Sequence, residues 1–299
     1  HGAEPNSAVV KEILDKVHHI EIVTRQVVDD VFSGEYHSTF KGLGMEFSEV
    51  REYQPGDDIR AIDWNVTARM GHPFVKKFHE ERELTVMLMV DASGSGMFGS
   101  VDRIKGEFAA ELCAVLAFSA IRNNDRVGLA MVTDQVEKVV VPKKGRKHVL
   151  RVIRELLYFR PEHRGTCLRE GIEHLIRVLN RRSVIFVVSD FMDNGYERAL
   201  RLLSRRHDVV LVRITDPREL ELPPAGLVNL RDPETGKTMV ADLASARVRD
   251  GFRELAARRR SEQESFFKSS GIDYIDLMTG SSYIEPLMGF FRMRARKFR

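Results

Sequence analysis

Between Leu84 and Gly99 the chain reads LTVMLMVDASGSGMFG, and its chemistry sits at the end of an apolar run. Val86 to Val90 is unbroken hydrophobic sequence, the pattern of a strand covered on both faces. It stops at one carboxylate and two hydroxyls, Asp91, Ser93 and Ser95, spaced by Ala92, Gly94 and Gly96. Alternate residues of a tight loop can face one side, which would aim these three groups at one point beyond the strand's carboxyl end. In open α/β sheets that edge is where ligands bind. An all-oxygen cluster with one or two carboxylates suits a hard divalent cation, Mg2+ above all, better than zinc or copper. The same residues also suit a plainer role: Asp91 and Ser93 as caps of the next helix, with the glycines forming a turn. On this stretch alone the two roles stand equal.

Further oxygens recur later in the chain. Thr166 precedes an apolar-periodic run (Leu168, Ile172, Leu175, Ile176, Leu179), where it could serve as an N-cap. Ser183 to Ser189 reads as a second buried strand and ends on Asp190, while a third, Val209 to Ile214, ends near Asp216-Pro217. Helical patterns separate these strands. That is βαβ alternation, and it predicts a doubly wound, mostly parallel α/β sheet. If the first two strands are neighbours, Asp91, Ser93, Ser95, Thr166 and Asp190 face one crevice.

The remaining elements follow from periodicity and turn chemistry. A first helix is expected over Val9 to Val27, capped by Asn6 or Ser7. Phe74 to Phe78 reads as an amphipathic strand, with Glu80 to Glu83 as a charged lead-in. Ser100 or Asp102 is expected to cap a helix striped by Ile104, Phe108, Leu112, Val115 and Leu116, with Cys113 a small buried hydrophobe. Asp125 to Val141 predicts a hairpin over Asp134-Gln135, and Gly226 to Leu243 another over Asp232 to Gly236. Arg247 to Lys268 is a long charged helix, Ile272 to Leu277 a last strand, and a final helix follows Gly280-Ser281-Ser282.

The segment EFSEVREYQPGDDIRAIDWNVTARM is dense in charge and contains the single tryptophan, Trp64. Pro55-Gly56-Asp57-Asp58 is a turn with a mechanism, since proline presets its φ and glycine takes a positive φ cheaply. The block has no nucleophile paired with a base. Its Arg51, Asp57, Asp58, Arg60, Asp63 and Trp64 therefore read as an ion-pair network that fastens a subdomain, or as a partner surface.

Composition excludes several classes. A net charge of +3 over 299 residues is too small for an electrostatic nucleic-acid binder, although the ending FFRMRARKFR is basic and aromatic. No apolar run reaches the roughly 18 residues of a membrane helix. The opening HGAEPNS is no signal peptide, and His1-Gly2 reads as a tag remnant. Two cysteines, Cys113 and Cys167, lack metal-ligand spacing, so a cytoplasmic protein is expected. Walker A, GxGxxG, HExxH and GxSxG patterns are absent.

Asp-x-Ser-x-Ser with a later Thr and a later Asp resembles the metal-ion-dependent adhesion site of von Willebrand factor A domains. That resemblance implies that the two serines and the threonine touch Mg2+ (or Mn2+ or Ca2+), that the aspartates act through water, and that one coordination position is left for a partner's carboxylate. A second resemblance spans nearly the whole chain. Gly42-Leu43-Gly44-Met45-Glu46-Phe47, Arg51 to Arg60, Ile62-Asp63-Trp64 and Ala68-Arg69 are similar to the signature of the bacterial and archaeal domain-of-unknown-function fifty-eight family. Many of its members carry membrane helices near the amino end. Membership implies a family-specific segment over 1–83, helical and β, packed on a von Willebrand factor A-like domain over 84–299. It also implies partnership with a MoxR-type AAA+ ATPase in complex assembly or maturation. The expected function is a non-enzymatic, Mg2+-dependent interaction module. The alternatives are a Mg2+-dependent hydrolase, which would lack the usual Asp-x-Asp and an evident lysine or histidine base, and nucleic-acid binding through the basic tail.

Overall fold

The computed structural model describes residues 45–80, 83–100 and 104–297, with Glu21, Thr24, Val28, Tyr36, Thr39 and Phe40 ahead of them. The helix expected over Val9 to Val27 and the glycines at 42 and 44 lie outside the described residues.

In the charged block, β1 (Met45–Glu52) and β2 (Phe74–Glu80) form an antiparallel two-stranded sheet. Only β2 was expected. A 3-10 turn at Ile59–Ala61 and a helix, α1 (Trp64–Met70), connect them. Asp63 starts α1 by accepting from the Asn65 and Val66 N–H groups, and Gly71, at φ 77°, ends it.

The larger unit follows in order: β3 (Thr85–Asp91), α2 (Lys105–Arg122), β4 (Arg126–Val132), β5 (Val136–Lys143), α3 (Arg146–Tyr158), α4 (Leu168–Val178), β6 (Val184–Ser189), α5 (Glu197–Arg206) and β7 (Asp208–Thr215). Then come a one-turn helix α6 (Pro217–Leu220), the hairpin β8 (Leu227–Arg231) and β9 (Thr238–Asp242), α7 (Ala246–Ser269), β10 (Asp273–Met278) and α8 (Ile284–Lys297). Six strands make one sheet in the order β10-β7-β6-β3-β4-β5, parallel except for β5 at the edge. This is the doubly wound α/β architecture that the alternation of strands and helices implied.

Strand periodicity explains the layers. Val86, Leu88 and Val90 face the cluster built on α2, α3 and α8, while Met87 and Met89 face the one built on α4 and α5. All five are at most 4% exposed. Gly171 lets α4 lie close on the sheet: a Cβ there would stand 2.6 Å from Met89 Cε and 2.7 Å from Val132 Cγ2. Tyr36 and Phe40 belong to the first cluster, with ring centroids 6.0 and 6.1 Å from that of Phe291. The core of the larger unit thus draws on residues from before position 83. Cys113 is fully buried there, and burial pushes its thiol up to about 12.

The sheet order decides where a site can form. From β3 the chain winds outward to β4, whereas from β6 it winds the opposite way to β7 and β10. The carboxyl ends of β3 and β6 therefore flank a topological switch point, the crevice in which such folds bind ligands.

Candidate functional site at the β3–β6 edge

Asp91 is the last residue of β3, and pairing of Val90 with Val188 sets it beside Ser189. Ser189 Oγ donates to Asp91 Oδ2 at 2.6 Å, and the Ser93 N–H donates to Asp91 Oδ1 at 3.0 Å. Burial, and next the negative charge of Asp190, push the Asp91 carboxyl up to about 6, against the pull of the Ser189 and Ser93 hydrogen bonds. Ser93 Oγ and Ser95 Oγ lie 3.0 Å apart. Phe191, right after Asp190, is held at φ 56°, where an L residue is strained by about 1 kcal/mol. Its N–H donates to Ser189 Oγ at 2.9 Å, and Gln263 Nε2 donates to its carbonyl at 2.7 Å.

Lys105 was missed in the sequence. It is 5% exposed, and its Nζ donates to Asp190 Oδ2 at 2.6 Å and to Glu219 Oε1 at 2.5 Å. Burial would lower its pKa, but the two carboxylates outweigh burial and raise it. Clamped between two acids, Lys105 is a fixed ammonium rather than a base. A surface-type residue at a helix start carries no sequence signal for this role.

Thr166 does not cap α4. Cys167 holds the cap position, and Asp193 Oδ2 accepts from the Leu168 N–H at 2.8 Å. Thr166 Oγ1 instead donates to Glu234 Oε1 at 2.6 Å, from the β8–β9 turn. Burial, and then the charges of Asp190, Asp232 and Asp193, raise the Glu234 pKa against the Thr166 hydrogen bond. The segment before Thr166 is tied to the serine loop, since the Gly94 N–H donates to Arg164 O at 2.9 Å. Pro233 O comes so close to Gly94 that a Cβ there would meet it at 2.5 Å.

Helix α2 also departs from expectation. Ile104, not Ser100 or Asp102, precedes it, without a side-chain cap. Ser100 turns to Asp216: its N–H donates to Oδ2 at 2.8 Å and its hydroxyl to Oδ1. Asp102 lies outside the described residues.

A cleft of about 20 Å3 is lined by Asp91, Ser95, Lys105, Ser189 and Asp190. That is room for one water-sized guest, which needs at least about 10–15 Å3. The hydroxyls of Ser95 and Ser189 and the carboxylates of Asp91 and Asp190 share its lining with Lys105 and with the apolar Ala109, Val188 and Ile214; Ser93 and Thr166 do not line it. Among the described residues no three His, Cys, Asp or Glu side chains gather as a metal cluster. The oxygens of Asp91, Ser95, Ser189 and Asp190 are of the donor type that a hard cation prefers. Asp91 and Asp190 each hold their oxygens in hydrogen bonds, to Ser93 and Ser189 and to Met192 and Lys105. Next to this cleft lies a cavity of about 780 Å3 that Ser95 and Glu234 share with Phe98, Phe191, Phe252 and Phe266.

The charged block behaves differently. Arg51 makes a two-pronged pair with Asp57, at 2.8 and 2.7 Å, and Asp57 also accepts from the Gln54 N–H at 2.9 Å. Asp58 accepts from the Arg60 N–H at 2.9 Å, and Asp63 caps α1. These bonds shape the block from within. Trp64 is 67% exposed, beside the exposed Ile59 and Met70. In the basic tail, Arg294 is buried and pairs with Asp208 at 2.7 Å and Asp273 at 3.0 Å, so it is a core cation of α8.

No helix among the described residues is long and apolar enough to cross a membrane. The family model "Protein of unknown function DUF58" matches residues 49–262. The uncharacterized protein Rv1480 of Mycobacterium tuberculosis is 32% identical over 281 residues, 93% of this chain and 88% of that protein. The uncharacterized protein YeaD of Bacillus subtilis is 30% identical over 110 residues, covering 36% of this chain and 25% of its own. Among solved structures, the conserved hypothetical protein BatB of Bacteroides thetaiotaomicron is similar with a TM-score of 0.47 at 16% identity, covering 71% of this chain and 99% of that one. The SpRpn10 VWA domain is similar with a TM-score of 0.37 at 14% identity, covering 68% and 93%.

Proposed function

This chain belongs to the family of proteins of unknown function DUF58, and from that premise we propose that it is a von Willebrand factor A-type interaction module whose β3–β6 edge holds Mg2+ and takes a carboxylate from another protein. One observation carries the reading: Ser95, whose Oγ lies 3.0 Å from Ser93 Oγ, lines a one-guest cleft together with Asp91 and Asp190. Asp91, Ser93, Ser95 and Thr166 would hold the ion, with Asp190 behind them; Mn2+ or Ca2+ could stand in for it. The bound ion would supply the positive charge to which a partner's acid side chain binds. The protein's own part is orientation. Ser189 fixes the Asp91 carboxylate, and the Lys105 ammonium offsets the charges of Asp190 and Glu219, so that several acids can share one crevice.

The geometry favours binding over hydrolysis. A nucleophilic aspartate needs an adjacent base or acid free to move a proton. Lys105 is held by two carboxylates, and both Asp91 oxygens accept hydrogen bonds. The partner that the family resemblance implies is a MoxR-type AAA+ ATPase or its client. The exposed Trp64, Asp58 and Arg60, with the half-buried Arg51 and Asp57, offer a second contact surface, whereas Asp63 is buried and serves as the cap of α1. Two free cysteines suit a cytoplasmic setting.

The test is co-purification. A MoxR-type ATPase from the same genome should be retained by the wild-type chain in Mg2+. It should be lost in EDTA and with Ser93→Ala plus Ser95→Ala, with unchanged circular dichroism. Retention under both conditions overturns the metal-bridged reading. Mg2+-dependent phosphatase turnover that disappears in Asp91→Asn would overturn the choice of a binding protein over an enzyme.

A further inference from the structure

We propose that Glu234 is a built-in ligand of this site: through its bond to Thr166 it holds, within the same chain, the place that a partner's acid side chain would take. This rests on the reading of the β3–β6 edge as a cation site. Glu234 Oε1 accepts from Thr166 Oγ1 at 2.6 Å, although 68 residues separate the two. The contact is shaped on both sides. On the hairpin, Asp232 folds the tip by accepting from the Glu234 N–H at 2.9 Å and from Thr235 Oγ1 at 2.6 Å. On the loop, Gly94 stands between the two serines, where a Cβ would meet Pro233 O at 2.5 Å. Only glycine leaves room for the tip to seat.

The hairpin is anchored at its base by Ala241 and Leu243, 9% and 3% exposed, and is open between base and tip. Among the described residues β8 and β9 pair with each other and with no other strand, and Leu227, Met239 and Val240 are 76%, 63% and 65% exposed. An isolated two-stranded hairpin is marginal in water. Behind it lies the cavity of about 780 Å3 rather than packed core. Lifting the tip therefore uncovers little apolar surface and opens the cation site and the cavity together. A tethered carboxylate competes at an effective concentration on the order of millimolar. A lone acid side chain on a partner would lose to it. A partner that also places an apolar side chain beside its acid can use the cavity walls, Phe98, Phe191, Phe252 and Phe266, to prevail. Glu234 thus sets the chemistry of the partner as an acidic residue flanked by a large apolar one.

The experiment uses the full chain with Mn2+ as the probe and follows water-proton relaxation. Wild type should show one fewer metal-bound water than Glu234→Gln, and Glu234→Gln should bind Mn2+ about tenfold more weakly. Sodium acetate should displace water from Mn2+ in Glu234→Gln and not in wild type. Gly94→Ala, which forces the tip away while Glu234 stays intact, should behave like Glu234→Gln. In EDTA, amide exchange in β8 and β9 should quicken in both variants, a readout that needs no metal. Equal water counts and equal affinities, with unchanged exchange, overturn the role of Glu234 and leave the cation site standing. Absence of Mn2+ binding by all three proteins overturns the cation site, and the Glu234 proposal falls with it.

Discussion

Two aspartates sit at carboxyl ends of strands in the same sheet, Asp91 on β3 and Asp216 just after β7, and their surroundings are opposite. Asp216 is fully buried and accepts from the Ser100 N–H and hydroxyl, the Arg218 N–H at 2.8 Å and Thr279 Oγ1 at 3.1 Å. Burial would raise its pKa, but the Ser100 bonds and the others outweigh burial and lower it. Asp91 has two such donors, and burial and Asp190 leave its carboxyl raised. The number of neutral donors separates a cap from a site. Asp216 is a finished structural element that locks β7, α6 and the loop after β3 together. Asp91 has fewer donors than Asp216 and a neighbouring carboxylate, so its charged form is the less well compensated of the two. Lys105 bridges the two regions, since it pairs with Asp190 on one side and on the other with Glu219, the capping-box partner of Asp216.

The contrast can be broken most forcefully at Asp216 and Lys105. Asp216→Ala removes the buried acceptor of four hydrogen bonds and should destabilise the fold by about 3 kcal/mol in urea unfolding, equally with and without Mg2+. Lys105→Met leaves Asp190 and Glu219 facing each other and should cost about 3 kcal/mol without metal. Added Mg2+ should recover part of that loss; no recovery would separate Lys105 from the cation site.

Acidity sharpens the contrast next. The folded-state pKa of Asp91 is raised from 3.8 to about 6. Stability from this group is therefore fully present below pH about 4 and is lost as the pH rises through about 6. Asp125, raised to about 7 mainly by burial, adds a loss of the same sign. Asp91→Asn should remove only the Asp91 part, seen as a shallower fall in stability between pH 4 and 6. Saturating Mg2+ should flatten wild type in the same window. Asp216, whose pKa is lowered, contributes the opposite slope at lower pH, lost as the pH falls.

The smallest expected effect is at Trp64. It is 67% exposed, so Trp64→Ala should change stability by no more than about 0.5 kcal/mol. Weakened retention of the ATPase in that variant would mark the block as a second contact; unchanged retention would confine recognition to the β3–β6 edge.

Local order in the chain was legible wherever periodicity and turns governed it. The buried run Val86–Val90, the strands ending on Asp190 and near Asp216, and the hairpin between Gly226 and Leu243 all read directly from residue patterns. So did the doubly wound sheet. Strand β1 did not, because its sequence, MEFSEVRE, carries no apolar run. Ser100 was misread as a helix cap because Asp216, 116 residues away, offered its hydroxyl and N–H a better acceptor. Thr166 was read both as a cap and as an oxygen of the site, and the structure removes the first role. Lys105, Ser189, Glu219 and Glu234 reach the edge through tertiary docking of α2, β6, α6 and the β8–β9 turn. Nothing in the local sequence of Lys105, Glu219 and Glu234 distinguishes them from ordinary surface residues, and the buried-strand pattern ending at Ser189 gives its position but not its bond to Asp91.

The central claim is that the β3–β6 edge is a cation site, and calorimetric titration of Mg2+ into the metal-free chain tests it most directly. Saturable binding of one ion per chain, abolished by Ser93→Ala with Ser95→Ala and retained in Trp64→Ala, is the predicted result. An identical titration curve for wild type and the double serine variant, or no heat from either, would contradict it.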